Sequence, residues 1–482
     1  MFQKGILTID HDTWRGGIAS SPFVGCGDIR NADIWSKPGA LLCGFRAIKE
    51  SEDVVDDLIT FMRFDESNGR VFAGSESGTL YRRSVAGSWE IENSGGVESF
   101  TAADNCQGLE LWKGYVLYAD ELKLHAYEID GTVHDDWQTF EEGQRDAANL
   151  PHEALIGQDD VVYFTDGRYI ASLQEVPGET FDPSDSDTYT WNPTALDLPE
   201  GYVASTLSEL GTYLIVGTYF NENVNRGNRA ELYPWDRTSP SFNLPLRTKG
   251  NGVWQSITQG NILYSIVDRR NCKLYASNLT TFELQREIKR IEAEVRLYPD
   301  AIDVLDEEIL VGIGDLSATN LGIYSFRDGV MQLRNVLSEG DEDVDIGSVL
   351  TIDDGEVLVS WKHGSEYGVD LISTTRYTSY ATVLETPLFV VGTSSEPFSF
   401  AEIDLLLARK LATGQGVRVS YRETLDAEYS LMGTYDHTIY GAVSKINEVS
   451  AIDQVSTIQL KIELTAAADS TDSPELLSVR LS

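Results

Sequence analysis

The sequence predicts an all-β protein, and three observations support this prediction. A pair of apolar strands joined by a polar turn recurs seven times at a regular interval. The leading strand of each pair is apolar along almost its whole length, which is typical of a strand covered on both faces. The last hundred or so residues instead alternate apolar and polar side chains, the period of a half-buried strand.

The recurring pair is clearest in residues 213–236, YLIVGTYFNENVNRGNRAELYPWD, where two apolar runs flank a stretch rich in Asn and Gly. The corresponding leading strands begin at residues 71, 116, 161, 213, 262, 309 and 357, so the repeat is about 45–52 residues long. One further strand precedes each pair and a weaker one follows, as at residues 58–64 and 89–91. Four strands per repeat at this period predict a seven-bladed β-propeller over residues 51–384.

Two other all-β arrangements fit the repeat less well. A β-helix requires shorter rungs, and a set of sandwiches requires Greek-key spacing, so both rank below the propeller. Residues 281–295 have a helical composition, but they fall where the outer strand of a blade is expected. We therefore predict no long helix.

The first 50 residues do not match the repeat and are predicted to form an extended N-terminal segment. They are rich in Gly, Ser and Pro with scattered aromatic residues. Such a segment can close the ring by adding a strand, or it can lie across a partner subunit. Trp14, Trp35 and Pro38 are our candidates for that subunit contact. An apolar plug that caps the propeller is the alternative.

From residue 385 the pattern changes, and residues 385–482 are predicted to form a C-terminal β-sandwich. Strands are expected at 401–408, 416–422, 457–464 and 475–481. Alternation is clearest at Ile458, Leu460, Ile462 and Leu464, whose neighbours are mostly polar. An alternating antiparallel set of this length is typical of a sandwich.

The charge balance excludes some partners. The chain has 77 acidic and 37 basic residues, a net charge of −40. This field repels phosphates and anionic lipid, so we predict no direct nucleic-acid or membrane-surface binding. The basic set comprises 12 Lys and 25 Arg. Few lysines beside many carboxylates suit a protein that works in high salt, and an ordinary acidic surface is the alternative.

Cysteine spacing and the N-terminus bear on the compartment. Cys26, Cys43, Cys106 and Cys272 contain no CxxC pair, so we predict buried free thiols, with a disulfide between the first two as the alternative. The N-terminus, MFQKGILTIDHDTW, lacks a cleavable apolar core. No apolar run reaches the roughly 18 residues of a membrane span. We expect synthesis in the cytoplasm without a signal peptide.

No catalytic, cofactor or metal site is predicted. The six histidines have no metal-ligand spacing, and no GxSxG, P-loop or strand-linked GxGxxG motif is present. Residues 341–345 place carboxylates at alternate positions, but Ile346 stands where a calcium loop needs Gly. Asp182, Asp185 and Asp187 form a second acidic loop. We interpret both loops as acidic surface exposed to solvent, and calcium binding is the alternative.

Two stretches carry a resemblance to a family. NADIWSKPGALLCGFRAIKES, ahead of the repeats, resembles the entry segment of tail and virion structural proteins of tailed viruses. IDLLLARKLATGQGVRVSYRETLDAEYSLMGTYD, with STIQLKIELTAAADSTDSPELLSVRLS, is similar to the β-rich C-terminal module that those proteins often carry. The features of that module are Tyr421-Arg422, Met432-Gly433-Thr434, Gln459 and Ser473–Leu476.

The resemblance implies a non-enzymatic virion component in the viral tail, as a nozzle, hub or adaptor protein. By the same resemblance, its partners would be other tail proteins and further copies of itself in a hexameric ring, with no cofactor. The alternative is a carbohydrate- or host-receptor-binding propeller that uses exposed aromatic residues, with Trp191, Trp235 and Trp254 as candidates. A glycan hydrolase is ranked last, because with 77 acidic residues no particular carboxylate pair stands out.

Overall fold

The structure is a computed structural model of the chain. It describes residues 2–3, 6–14, 26, 28–51, 54–92, 106–129, 131–141, 152–220, 229–270, 272–288, 295–352, 355–378, 380, 382–393, 395–467 and 471–482. Contacts between Cα atoms divide the chain into two compact units. We call Lys49–Leu321 with Glu342–Leu371 the repeat unit, and Met1–Ile48 with Gly322–Asp341 and Ile372–Ser482 the terminal unit.

The all-β prediction is confirmed, because strands dominate both units. The repeat unit contains five complete four-stranded sheets, in which each strand pairs antiparallel with the next one along the chain. Sheet 1 contains Ile59–Asp65, Arg70–Ser75, Leu80–Arg83 and Trp89–Ile91, and sheet 2 contains Gly108–Trp112, Tyr115–Ala119, Lys123–Glu128 and Val133–Thr139. Sheet 3 contains Ala154–Ile156, Val162–Asp166, Tyr169–Glu175 and Tyr189–Asp197, and sheet 4 contains Tyr202–Leu210, Tyr213–Phe220, Arg229–Trp235 and Leu246–Lys249. Sheet 5 contains Val253–Gln259, Ile262–Val267, Lys273–Ser277 and Phe282–Glu287.

The rest of the repeat unit contributes further antiparallel pairs. Ile302–Leu305 pairs with Glu308–Ile313. Glu342–Thr351 pairs with both Asp315–Thr319 and Val357–His363. Two more strands, Phe45–Lys49 and Glu366–Tyr377, have residues in both units. Part of the segment with helical composition, residues 282–287, is the outer strand of sheet 5, as its place in the repeat predicts.

Burial explains why the second strand of each sheet is so apolar. Val71, Phe72 and Ala73 are all fully buried. Val71 and Ala73 lie in a core shared with Leu358 and Val369, whereas Phe72 lies in the core formed with sheet 2. Alternate side chains of one strand therefore fill two different cores, which requires apolar residues at every position.

The first strands of the repeat unit contact one another in a cycle. Each strand in the following series contacts the next, and the last contacts the first: Ile59–Asp65, Gly108–Trp112, Ala154–Ile156, Tyr202–Leu210, Val253–Gln259, Ile302–Leu305 and Glu342–Thr351. The N-terminal side of the chain also reaches the last repeat, where the Glu50 N–H donates to the Val369 carbonyl at 2.8 Å. The Val369 N–H in turn donates to the Ser51 hydroxyl at 3.0 Å. The first of these bonds joins two main chains, as strand addition predicts.

Two antiparallel sheets of the terminal unit are built from both ends of the chain. One has the order Phe2–Gln3, Ile6–Asp10, Leu476–Leu481, Phe398–Leu407 and Lys445–Val455. The other contains, in order, Asp28–Arg30, Thr382–Glu385, Thr457–Thr465, Gly416–Arg422 and Ser430–Asp436. The remaining strands of this unit are Gly322–Arg327, Val330–Asn335, Phe389–Val390, Ala32–Asp33 and Leu42–Cys43.

One apolar core joins the two sheets of the terminal unit. The first sheet contributes residues such as Ile9 and Leu405, and the second contributes Val419 and Leu460. The alternation predicted at 458–464 is confirmed, because its four apolar side chains are all fully buried. Both sheets therefore contribute apolar side chains to the same core.

The two units differ from the domain boundaries predicted at residues 50 and 384. Residues 28–30 of the N-terminal segment pair with residues 383–385, and Arg30 also pairs with Leu333 of the strand Val330–Asn335. These pairings bring residues 322–341 and 372–384 into the same unit as the two chain ends. The N-terminal segment thus supplies strands to the sheets of the terminal unit.

The helices and cysteines complete the description. Two helices of four residues, His11–Trp14 and His437–Tyr440, lie in the described parts of the chain. In those parts, no helix has the length and apolar character needed to cross a lipid bilayer. All four cysteines are buried free thiols, as predicted, so the alternative disulfide between Cys26 and Cys43 is not formed.

Candidate functional site

The three residues predicted to contact a partner subunit lie at different depths in the terminal unit. Trp14 is fully buried in the core, which leaves it no surface for another chain. Trp35 is half-buried, and the Arg327 guanidinium lies over its ring at 5.1 Å from the centroid. Pro38 is exposed. In this conformation, Trp35 and Pro38 can meet a partner and Trp14 cannot, since the terminal unit's own sheets enclose it.

The tryptophans considered for carbohydrate binding are engaged within the repeat unit. Trp235 is buried, and its indole N–H donates to the Ser239 carbonyl at 2.8 Å. Trp254 is also buried, with the Arg269 guanidinium 3.6 Å from its ring centroid. Trp191 is half-buried and donates to the Thr139 carbonyl at 3.2 Å. These rings are mainly packing residues of the sheets.

The two acidic loops are built differently from a calcium loop. Asp345 is buried in the strand Glu342–Thr351, where its carboxylate accepts a hydrogen bond from Arg296 at 3.1 Å. Burial raises the pKa of Asp345 above its ordinary value, although Arg296 opposes the shift. In the other loop, Asp182 caps its own turn by accepting the Ser184 N–H at 2.8 Å. The first loop is thus partly buried, contrary to the preferred interpretation, whereas the second is solvated.

A cleft of about 380 Å³ opens beside the turns that follow the first strands of sheets 1 and 2. It is lined by Asp65, Ser67, Asn68, Leu111, Trp112, Lys113, Gly114, Tyr115 and Ile129. Lys113 and Gly114 both have positive φ, 53° and 85°. That combination forms the tight two-residue turn between antiparallel strands, so the dipeptide Lys-Gly fixes the position of Trp112 and Tyr115 on either side.

Polar groups line one side of the cleft. Asp65 accepts hydrogen bonds from the Ser67 hydroxyl at 2.6 Å and from the Asn68 amide at 2.8 Å. Burial raises the pKa of Asp65, but these hydrogen bonds outweigh burial, and the pKa lies below its ordinary value. The carboxyl group is therefore ionised at neutral pH. It offers acceptor oxygens to a ligand in the cleft.

Aromatic side chains form the other side. Phe181 packs against Trp112 at 4.7 Å between centroids and edge-on against Tyr115 at 5.2 Å. The Lys113 ammonium forms ion pairs with Asp160 and, at 3.3 Å, with Glu175. Trp112 and Tyr115, of which only Tyr115 is appreciably exposed, form an aromatic wall in the lining of the cleft. Together with the carboxylate, amide and hydroxyl groups, this wall can hold a small polar ligand that also has an apolar face.

A partly buried network of charged residues lies on and beside the first strands of the repeat unit. We call Arg63, Glu110, Glu153 and Asp300 the hub. The Arg63 guanidinium donates to Asp300 and, at 3.1 Å, to Glu110. Asp300 also accepts the Met62 N–H at 2.9 Å and the Ser348 hydroxyl at 2.5 Å. Glu153 accepts the Leu207 N–H at 2.7 Å. Arg63 and Asp300 thereby link backbone and side chains from four of the repeats, and Glu153 separately links two others.

Burial governs protonation in the hub. It raises the pKa of Glu110, although Arg63 opposes the shift. It raises the pKa of Glu153 well above the ordinary value, and the nearby charge of Asp300 adds to the shift. Burial lowers the pKa of Arg63, but Asp300 and Glu110 outweigh this and hold it above its usual value. The hub thus combines a charged arginine with two carboxyl groups, those of Glu110 and Glu153, whose pKa values burial raises.

Sequence reasoning missed both the cleft and the hub. Arg63 and Asp300 are 237 positions apart, and nothing local marks either one. The Lys113-Gly114 turn was readable as a hairpin turn, but the partners of its flanking aromatic residues come from another sheet. Only the cyclic arrangement of the sheets brings these groups together.

No protein-family profile and no curated protein matches the sequence. Solved structures with a similar fold include the Myceliophteria thermophila Cps50 (Swd1) β-propeller domain, with TM-score 0.46, 12% identity, and coverage of 69% of this chain and 100% of that one. The Neurospora crassa Pan2 WD40 domain has TM-score 0.44, 11% identity, and coverage of 70% and 97%. The structure of U3-55K has TM-score 0.46, 12% identity, and coverage of 68% and 98%. The evidence for the fold is the chain's own strand pairing.

Proposed function

We propose that this chain is a non-enzymatic structural assembly module, with a seven-bladed β-propeller and a β-sandwich that contains both chain ends. The observation that carries the proposal is the cycle of contacts among the first strands of the repeat unit. Five complete four-stranded sheets supply five blades. In this proposal, the strands at 302–313 and 342–363 belong to the sixth and seventh blades. A closed ring protects its strand edges and resists deformation, as a rigid spacer must.

Side-chain hydrogen bonds between neighbouring sheets support a closed ring. The Thr60 hydroxyl donates to the Cys106 carbonyl at 3.1 Å, linking sheets 1 and 2. The Ser205 hydroxyl donates to the Val253 carbonyl at 2.5 Å, linking sheets 4 and 5. The Ser360 hydroxyl donates to the Ile59 carbonyl at 2.6 Å, linking the last repeat to the first. The hydrogen bond that links the last repeat to the first is thus of the same kind, hydroxyl to backbone carbonyl, as those that link other neighbouring sheets.

The residues that resemble a virion module hold the terminal unit together. Arg422 donates to the Gln459 side-chain carbonyl at 2.7 Å, and the Gln459 amide donates to the Thr386 carbonyl at 2.7 Å. The Ser473 hydroxyl accepts the Cys43 N–H at 2.7 Å, which joins the closing motif to the N-terminal segment. These contacts support reading both stretches as parts of one module. The resemblance of those stretches is the ground on which we propose a tail component of a virus particle, among other tail proteins.

The oligomeric state tests this proposal. Light scattering after size-exclusion chromatography, in low and high salt, should give a multiple of the 53.4 kDa chain, with a hexamer as the proposed ring. Pro38→Asp places a charge at the exposed interface candidate and should dissociate the ring. Pro177→Asp, an exposed proline in the repeat unit, is the matched control and should leave the mass unchanged. A wild-type chain that remains a monomer in both salts would contradict the proposal.

The cleft favours carbohydrate binding as a second candidate function. Its aromatic wall and its ionised Asp65 are the groups that contact the apolar face and the hydroxyls of a sugar. A glycan array probed with the full chain should show binding that Tyr115→Ala abolishes. Tyr213→Ala removes the tyrosine at the corresponding position of sheet 4 and should have no effect. An array with no signal, or one unaffected by Tyr115→Ala, counts against this candidate.

A further inference from the structure

The outer hairpin of sheet 2 contains an irregularity that gathers three potential metal ligands. Lys123–Glu128 pairs with Val133–Thr139, and the register shifts between Leu124 and Ala126. Leu124 faces Gln138 and Ala126 faces His134, so His125 alone faces residues 135–137. Asp136 has a left-handed backbone, with φ of 49°. Bulges of this kind turn side chains away from the regular alternation and are common beside functional sites.

The bulge places two consecutive carboxylates against the imidazole. One ligand atom from each of His125, Asp135 and Asp136 lies within 4.8 Å of the other two. The Nδ1 atom of His125 is 2.6 Å from the Asp135 carboxylate. The imidazole is buried, whereas both aspartates are exposed and can rotate toward a common point. Solvent therefore reaches the cluster from the carboxylate side.

A fourth residue fixes the orientation of the imidazole. The Nε2 atom of His125 lies 3.0 Å from the Asp120 carboxylate. The other oxygen of Asp120 accepts the N–H groups of Leu122 at 2.7 Å and Lys123 at 2.6 Å, so this carboxylate cannot turn away. When Nε2 carries the proton toward Asp120, Nδ1 accepts the Asp136 backbone N–H at 3.1 Å, so its lone pair points toward residues 135 and 136, and a bound metal ion would replace this N–H. Carboxylates bonded to the far nitrogen in this way are the usual supports of metal-binding histidines.

We propose that His125, Asp135 and Asp136 bind a divalent transition-metal ion, with Zn²⁺ as the representative, and that Asp120 is a positioning residue. One imidazole nitrogen and two carboxylate oxygens suit Zn²⁺, which binds both ligand types at about 2.0–2.2 Å. Mg²⁺ prefers an all-oxygen shell, so the imidazole selects against it. Water completes the coordination.

Calorimetric titration of the chelator-treated full chain with ZnCl₂ tests the site. We expect one tight site in the wild type that is lost in the Asp135→Asn, Asp136→Asn double variant. Both substitutions are at exposed positions, and Asn tolerates the left-handed backbone at 136. Asp306→Asn is the matched control, because Asp306 is also exposed, with φ of 53°, and it should bind as the wild type does.

Two further measurements separate a built site from general attraction to an acidic protein. Asp120→Asn should weaken Zn²⁺ binding by about 10–100-fold, the usual effect of removing such a support. The absorption spectrum of the Co²⁺ form should show nitrogen ligation in the wild type and lose it in the double variant. Equal Zn²⁺ affinity in the wild type and the double variant would overturn the proposal. So would tight binding of MgCl₂ that competes with Zn²⁺ at this site.

Discussion

The Ser360 hydroxyl donates a 2.6 Å hydrogen bond to the Ile59 carbonyl, although the two residues are 301 positions apart. The same hydroxyl accepts the Ser348 N–H at 2.8 Å, so it links the last repeat internally and to the first. Gly347, next to Ser348, has no side chain, so the Ile59 carbonyl can approach its Cα atom closely. The cycle of strands closes at these residues, so point mutations there test the closure directly.

Ser360→Ala should destabilise the repeat unit by about 2 kcal/mol. The substitution removes the donor to Ile59 and leaves the Ser348 N–H without its acceptor, and a lost buried hydrogen bond costs about 1–3 kcal/mol. The free energy of unfolding in urea measures the effect. Ser241→Ala, at an exposed serine, is the control and should change it by less than about 0.5 kcal/mol. Equal stabilities of the two variants would show that this bond does not support closure.

Gly347→Ala should destabilise the closing contact through crowding. A Cβ atom at this position would lie 2.0 Å from the Ile59 carbonyl oxygen, so the two strands would have to separate. Overpacking of this kind costs about 1–3 kcal/mol. Gly416→Ala is the matched control, because the nearest atom to its Cβ would be 3.7 Å away. A loss of unfolding free energy no larger than in the control would contradict the packing described at residue 347.

Arg63→Leu should be among the most damaging single substitutions in the repeat unit. It leaves Asp300 and Glu110 without the guanidinium that both carboxylates face, and an uncompensated buried charge costs about 3–5 kcal/mol. The comparison is Arg168→Leu, which removes a solvent-exposed ion pair with Asp197 worth about 0–1 kcal/mol. Urea unfolding of both variants gives the difference. A similar small loss in each would mean that water reaches the hub freely.

Glu153→Gln should change how stability depends on pH. The pKa of Glu153 is raised in the folded chain, so the group favours folding when protonated, below its unfolded pKa of about 4.3. That contribution is lost as the pH rises toward the folded pKa. Glutamine is neutral throughout and can still accept the Leu207 N–H. Relative to wild type, the variant should therefore become increasingly stable as the pH rises above the unfolded pKa of about 4.3.

The control for this pH series is Glu200→Gln, at an exposed position. Its unfolding free energy should follow that of the wild type at every pH. A Glu153→Gln profile parallel to wild type would indicate that Glu153 is ionised in the folded chain, contrary to the prediction.

The repeat could be predicted from sequence because it is encoded locally. The second strands were expected to start at residues 71, 116, 161, 213, 262, 309 and 357, and the observed strands start at 70, 115, 162, 213, 262, 308 and 357. Burial on both faces leaves a continuous apolar run that needs no knowledge of distant residues. Alternation at 458–464 was equally visible, because one face of that strand is buried.

Pairing between distant segments could not be predicted in the same way. Ile6–Asp10 pairs with Leu476–Leu481, and neither stretch indicates its partner, since any apolar strand can satisfy another's backbone groups. Trp14 was taken as an interface residue because a lone aromatic in an irregular segment has no visible core around it. The hub, the cleft and the His125 cluster depend likewise on packing or on a register shift that no local pattern reports.

An experimental density map of the full chain, from crystals or from single particles, tests the central claim most directly. The account predicts that strand Glu342–Thr351 lies beside strand Ile59–Asp65, with the Ser360 hydroxyl against the Ile59 carbonyl. An open array, with those two strands at opposite ends and solvent between them, would contradict the ring and the assembly role proposed from it.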